Sequence, residues 1–168
     1  KEGAIAFGQK ADNLYNITDR LKKVSKKPII MKLSPNVTDI TEMAKAAEAA
    51  GSDAISLINT ITGMKIDIER RKFVLANKTG GMSGPAIKPV AIRMVYQCAQ
   101  AVKIPIIGMG GIMTGEDAVE FLMAGASAVA VGAANFINPY ATVEVVEGIE
   151  NYMRKHNVSE INEIIGCV

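Results

Sequence analysis

Residues Ile104–Asn135 read IPIIGMGGIMTGEDAVEFLMAGASAVAVGAAN, and this stretch decides the fold. A short apolar run ends in Gly108-Met109-Gly110-Gly111. A helix-like segment ends at Ala124-Gly125. A second apolar run, Ala128 to Val131, ends in Gly132-Ala133-Ala134. The order is strand, glycine turn, helix, glycine, strand, glycine turn. Glycine turns at the carboxyl ends of adjacent parallel strands leave backbone N–H groups free to face an anion, with no side chain in the way. In a barrel of alternating strands and helices, the loops after the last two strands hold phosphate. The stretch therefore predicts a site for a phosphorylated cofactor or substrate.

Working outward, the same unit occurs earlier in the chain. Pro28-Ile29-Ile30 matches Pro105-Ile106-Ile107, and Ala49-Ala50-Gly51-Ser52-Asp53-Ala54 matches Met123-Ala124-Gly125-Ala126-Ser127-Ala128. Each pair opens and closes one strand–loop–helix–strand unit, with glycine stopping the helix. The strands expected at 29–33, 54–58, 105–109 and 127–131 are nearly all apolar and do not alternate. That is the pattern of strands buried on both faces of a parallel sheet. Helices are expected over 12–25, after a Thr38 cap, after Lys88-Pro89, over 116–123 and over 141–155, with a short one over 159–165. Between 62 and 79, Met64-Lys65-Ile66-Asp67-Ile68 alternates and Lys72-Phe73-Val74-Leu75 follows a charged turn, which reads as a β-hairpin outside the main sheet.

The expected architecture is α/β, the C-terminal half of a TIM (β/α)8 barrel with an inserted β-hairpin, forming a single domain over 1–168. A full barrel takes about 250 residues. The chain has 168 and opens at Lys1-Glu2-Gly3. It is thus expected to be the carboxyl-terminal part of a longer protein. Four strands without their complement would leave two open edges, which invite self-association or pairing with the missing N-terminal half.

Composition narrows the function. Hydrophobic residues make up 49% of the chain, which argues against disorder. The net charge is +2 and the basic residues are scattered, so no nucleic-acid or acidic partner is indicated. No apolar run is long enough for a membrane span. Aromatic residues make up only 5%, too few for a base-stacking surface. Cys98 and Cys167 suggest a reducing compartment and lack metal-ligand spacing. Cys98 reads as inert core, His156 as a solvated surface residue, and the nine methionines as gap-filling core. No nucleophile lies beside a base, and no carboxylate pair or metal cluster is evident, so a hydrolase is not indicated.

Three features could carry chemistry. Lys32 ends an otherwise apolar strand, where it either points into a site at the strand ends or snorkels to solvent. Asn59-Thr60 ends the next strand, either reading a polar heterocycle or forming a simple turn. Gly80-Gly81-Met82-Ser83-Gly84-Pro85 reads as a further flexible stretch able to approach a ligand closely.

Taken together, Lys32-Leu33-Ser34-Pro35-Asn36-Val37-Thr38-Asp39-Ile40, Ile58-Asn59-Thr60, Gly80-Gly81-Met82-Ser83-Gly84-Pro85-Ala86-Ile87-Lys88-Pro89 and Ile106-Ile107-Gly108-Met109-Gly110-Gly111-Ile112 resemble the dihydroorotate dehydrogenase family. The likeness covers essentially the whole chain and is closest to the catalytic subunit of the NAD-coupled bacterial type. Lys1 to Gly8 also resembles the segment just after the family's catalytic loop. The resemblance implies a cytoplasmic FMN-dependent barrel enzyme oxidising dihydroorotate to orotate in pyrimidine (UMP) biosynthesis. It implies that Lys32 contacts the flavin, that Ile58 and Gly84 line it, and that Gly110, Gly111, Gly132 and Ala133 hold its phosphate. Asn59 and Thr60 would bind the orotate ring. The family's cysteine base would lie upstream of Lys1, leaving no catalytic residue here and an inactive isolated chain. The implied partners are a homo-oligomer and an electron-transfer subunit carrying FAD and an iron–sulfur cluster. The alternatives are a non-redox barrel enzyme with a phosphorylated substrate, or a half-barrel module that binds a phosphorylated ligand.

Overall fold

The structure, a computed structural model, describes residues 8–168. The segment 1–7, which carries most of the opening likeness, lies outside the described residues. Helix α1 (Ala11–Val24) leads into strand β1 (Ile30–Lys32), helix α2 (Ile40–Ala49) and strand β2 (Ala54–Leu57). Four short strands follow: β3 (Ile61–Met64), β4 (Ile66–Asp67), β5 (Lys72–Phe73) and β6 (Thr79–Met82). A 3-10 turn (Pro85–Ile87) opens helix α3 (Lys88–Ala101). Then come strand β7 (Ile106–Met109), helix α4 (Gly115–Met123), strand β8 (Ala128–Ala130), a 3-10 turn (Ala133–Phe136) and helix α5 (Ala141–His156).

The main sheet is parallel and four-stranded, in the order β1-β2-β7-β8. The two sequence units become adjacent strand pairs. Ile30 lies opposite Ala54 in one, and Ile107 opposite Ala128 in the other. Gly51 and Gly125 end their helices at φ of +85° and +106°, a conformation that disfavours other residues. Antiparallel strands joined by tight turns could not bring all four carboxyl ends to one side. The helical crossovers can, and the loops at that side build the site.

The core runs from Leu33, Ile55, Leu57 and Ile58 through Ile87, Val95 and Ile106 to Phe121 and Val145. The small residues Ala44, Ala47, Ala91 and Ala118 let helices lie close on the strands. Gly115 and Gly148 meet backbone to backbone where α4 crosses α5, so neither has room for a side chain. A second cluster places Val119 and Leu122 under Ile164.

Several expectations change. Only β2 is buried throughout. In the edge strands, Ile30, Lys32 and Ala128 are exposed, because among the described residues β1 and β8 each have one neighbour rather than two. Asp39, not Thr38, caps α2: its carboxylate accepts from Thr41 N at 2.8 Å. A carboxylate there also opposes the positive helix end. The hairpin has two ladders rather than one, β4 with β5 inside β3 with β6. Gly80, Gly81 and Met82 thereby leave the expected flexible loop and pair as strand with Gly63, Thr62 and Ile61. Over 159–165 only a single 3-10 turn forms, at Ile161–Glu163.

Candidate functional site

A cavity of about 300 Å³ opens at the carboxyl ends of the four parallel strands. Each strand delivers residues to its wall: Lys32 from the end of β1, Ile58-Asn59-Thr60 after β2, Met109 to Ile112 from β7, and Ala130 to Ala133 from β8. Ser83, Gly84 and Ile87 close it from the segment between the hairpin and α3. All nine residues singled out in the sequence, Lys32, Ile58, Asn59, Thr60, Gly84, Gly110, Gly111, Gly132 and Ala133, line this one space. The turns after β7 and β8 are brought together because those strands are neighbours.

The glycines differ in what they permit. Gly111, at φ +84°, touches backbone: a Cβ there would stand 2.8 Å from Gly84 O and 2.9 Å from Lys88 N. Only glycine allows the turn after β7 to close on the turn before α3. Gly84, at φ +93°, and Gly132 have no protein atom within 4 Å of an added Cβ. Side chains at those two positions would occupy the space a ligand needs. The N–H groups of Gly111, Gly132 and Ala133 find no backbone acceptor among the described residues. Free donors beside an open cradle suit a phosphate group. Ala133 starts a 3-10 turn, so the second turn is partly helical rather than a plain glycine loop.

On the other side, Lys32, Asn59 and Thr60 also face a second, more polar space of about 600 Å³ lined by Ser34, Asn36, Thr62, Asn77 and Thr79. Asn36 organises this wall. Its Nδ2 donates to Thr60 O at 3.0 Å and its Oδ1 accepts from Thr62 N at 2.9 Å, tying the loop after β1 to β3. Asn59 Oδ1 accepts from Thr60 N at 2.8 Å, which holds the amide in place and leaves its Nδ2 for a partner in the cavity. Thr60 packs its side chain against Gly81, which explains a glycine in the middle of β6. Lys32 is exposed, so its head group reaches the cavity without a desolvation penalty. Among the described residues it makes no ion pair.

Two residues the sequence reading missed stand just behind the glycine turns. Lys88 Nζ lies 2.6 Å from Asp117 Oδ1 and 2.7 Å from Glu120 Oε1. Asp117 Oδ2 accepts from Met113 N and Thr114 N, while Thr114 Oγ1 accepts from Asp117 N. The spacing Thr114-x-x-Asp117 is a capping-box signal and was legible. Lys88 carried no local signal, since its partners are far along the chain. Burial pushes the Asp117 carboxyl up, but the Lys88 ammonium and the two N–H donors outweigh it and hold it below the ordinary range. The same carboxylates hold the Lys88 ammonium above its ordinary value.

The remaining candidates lie elsewhere. Cys98 is fully buried in α3, and burial, helped by the Asp39 charge, pushes its thiol up to about 12. It is not a nucleophile at neutral pH. Cys167 is exposed, and His156 is exposed and stacks on Tyr152. Among the described residues no Cys, His, Asp or Glu lines either space at the strand ends. Among the described residues no group of acidic, His or Cys side chains could hold a metal, and no helix is long and apolar enough to cross a membrane.

Comparison with known proteins gives a consistent family. The family model described as dihydroorotate dehydrogenase matches residues 1–153. A protein of Lachnoclostridium phytofermentans named dihydroorotate dehydrogenase B (NAD(+)), catalytic subunit, is 71% identical over 168 residues, which is all of this chain and 56% of that protein. A protein of Alkaliphilus oremlandii with the same name is 63% identical over 166 residues, covering 99% of this chain and 55% of its own length. One from Geotalea uraniireducens, again of that name, is 54% identical over the full chain. The chain thus spans little more than half the length of the relatives it matches.

Proposed function

The chain belongs to the dihydroorotate dehydrogenase family, and we propose that it forms the FMN-binding part of an enzyme that oxidises dihydroorotate to orotate in pyrimidine biosynthesis. The observation that carries this reading is the shared cavity, where free backbone donors sit at one end and Lys32, Asn59 and Thr60 at the other. The lining suits such a group: Gly84 and Gly132 leave space open, and Gly111 and Ala133 have N–H groups without a backbone acceptor that a phosphate could use. FMN, when bound, supplies the two-electron acceptor.

The chain's own residues would divide the work. Gly110, Gly111, Gly132 and Ala133 would hold the phosphate by backbone contacts. Ile58 and Gly84 would give the ring a dry, close-fitting wall. Lys32 would place a fixed positive charge where negative charge gathers during reduction, which is electrostatic stabilisation. Asn59 and Thr60 would orient the substrate ring by hydrogen bonds, in the polar space that Asn36 braces. By the family resemblance the proton-abstracting base would come from outside residues 1–168; among the described residues neither lining set holds a titratable acid, thiol or imidazole. The edges of β1 and β8, unpaired among the described residues, and the exposed Phe136, Ile137 and Tyr140 beside β8 suit cover by the rest of a barrel. A homo-oligomer, a cytoplasmic setting, and a partner subunit carrying FAD and an iron–sulfur cluster complete the reading.

The test uses the full-length protein that carries this chain. It is expected to bind FMN and to bleach it on adding dihydroorotate without oxygen. Lys32→Ala is expected to slow that bleaching by about a hundredfold with FMN still bound. A protein that takes up no FMN, or a Lys32→Ala variant with normal reduction rates at saturating dihydroorotate, would overturn the assignment. Uptake of a phosphorylated sugar in place of FMN would favour a non-redox barrel enzyme.

A further inference from the structure

The two turns that close the cavity over the anion end come from distant parts of the chain. One is Gly84, which precedes the 3-10 turn and α3. The other is Gly110-Gly111, which follows β7. They meet at Gly111, whose neighbours are Gly84 O and Lys88 N. Backbone contact alone resists compression at that point. It does not resist separation.

The side chains behind the contact do. Lys88 is the first residue of α3, and Ile87 N donates to Gly84 O at 3.1 Å, so Lys88 moves with the Gly84 turn. Asp117 sits in the first turn of α4 and accepts at 2.8 Å from Met113 N and at 3.0 Å from Thr114 N, so it moves with the segment that follows Gly111. The 2.6 Å pair Lys88–Asp117 joins these two bodies. Both side chains are part-buried, 24% and 15% exposed, so salt screens the pair less than it screens a surface pair. Asp117 spends one oxygen on Lys88 and the other on the loop, which leaves its carboxylate fully occupied. Glu120, 51% exposed, also bonds Lys88 and contributes less.

We propose that Lys88 and Asp117 form a clamp that fixes the gap between the Gly84 turn and the Gly110–Gly111 turn, and so act as positioning residues for the anion end of the bound ligand. They do not touch the ligand. They hold the Gly111 donor at a fixed distance from the Gly84 wall, so that the phosphate met by Gly111 and the part of the ligand lined by Gly84 keep their spacing. This deepens the reading of the cavity as an FMN site and rests on it. Small misplacement of groups that orient a ligand is costly, which is why a support without ligand contact matters.

The experiment is an FMN titration of the full-length apo-protein by quenching of flavin fluorescence, with melting temperatures recorded on the same apo samples. Lys88→Met and Asp117→Asn are each expected to weaken FMN binding by about tenfold. The double variant is expected to be no worse than the weaker single one, because both remove the same link. Lys88→Arg, which can still pair, is expected to restore affinity to within about twofold of the parent. Asp117→Glu, which keeps the charge but lengthens the link, is expected to bind more weakly than the parent while folding normally. Single variants with lowered melting temperature but FMN affinity within about twofold of the parent would make the pair a structural strut and overturn the clamp. Additive losses in the double variant would do the same. If the parent binds FMN and the variants match it, the clamp alone fails. If the parent binds none, the reading of the cavity fails and the clamp with it.

Discussion

In β2 every residue is buried, whereas in β4 and β5 not one is. The two regions draw on similar residues. Ala54-Ile55-Ser56-Leu57 lies between β1 and β7 with helices packed over it. Met64, Ile66, Ile68, Phe73, Val74 and Leu75 of the hairpin are apolar too, yet all are exposed, Ile68 at 78%. Their ion pairs differ in the same sense. Lys88–Asp117 is short and sheltered, while Arg70–Asp67 in the hairpin is 3.7 Å long with Arg70 82% exposed. Burial therefore follows from what the topology lays over a strand rather than from its composition. The hairpin has no second layer among the described residues, so its stability is local and its apolar residues remain at the surface. The centre of the sheet supplies the rigid frame from which the cavity loops hang.

The sharpest way to break this contrast is to remove side chains from the frame. Leu57 is fully buried between the sheet and its helices. Leu57→Ala is expected to destabilise the protein by about 3 kcal/mol through lost transfer energy and the cavity left behind. Urea unfolding measures this. A loss below about 1 kcal/mol would mean that the frame collapses around the gap and is less rigid than the contrast requires.

A second, smaller effect concerns charge in the sheltered region. Asp117 titrates below its unfolded value, so the stability it contributes is present above about pH 4 and is lost as pH falls through the depressed folded value. Lys88 titrates above its unfolded value, so its contribution is present below about pH 10 and is lost as pH rises through the raised folded value. The pair is thus insensitive to pH across the neutral range. Thermal melts should show a steeper acid limb in the parent than in Asp117→Asn. Asp39, Asp53 and Glu163 are also held low by hydrogen bonds, but they are exposed and solvent weakens their share. Identical acid limbs in parent and variant would show that Asp117 is less sheltered than its contacts suggest.

The contrast also explains what was legible in the sequence. The repeat Pro28-Ile29-Ile30 and Pro105-Ile106-Ile107 pointed to the parallel sheet because apolar strands separated by helices are the pattern of parallel sheets, even though only β2 turns out to be buried throughout. The glycines at 110, 111 and 132 pointed to the site because backbone donors need bare backbone, and that requirement is local. What escaped was non-local. Lys88 reads as an ordinary lysine until the fold brings Asp117 beside it. Gly81 reads as a flexible loop residue until Thr60 is seen packed against it. Met64, Ile66, Asp67, Lys72 and Phe73 form strand as read, whereas Ile68, Val74 and Leu75 fall in turns and bends, and alternation does not reveal whether anything covers them. Thr38 and Asp39 are both good capping residues, and sequence alone does not choose between them.

The smallest expected effect tests the hairpin side. Ile68 follows β4 and is 78% exposed, so replacing it removes little buried area. Ile68→Ser is expected to change unfolding free energy by no more than about 0.5 kcal/mol, the range for surface positions away from special features. A polar residue there also shrinks an exposed apolar patch, so the variant should be at least as soluble as the parent. Light scattering across a concentration series, run beside the urea melts, measures both. A loss above about 2 kcal/mol would show that Ile68 is covered in solution by something the described residues do not provide. In that case the hairpin would belong to a packed layer, and the difference between the two regions would describe this chain by itself rather than the assembled protein.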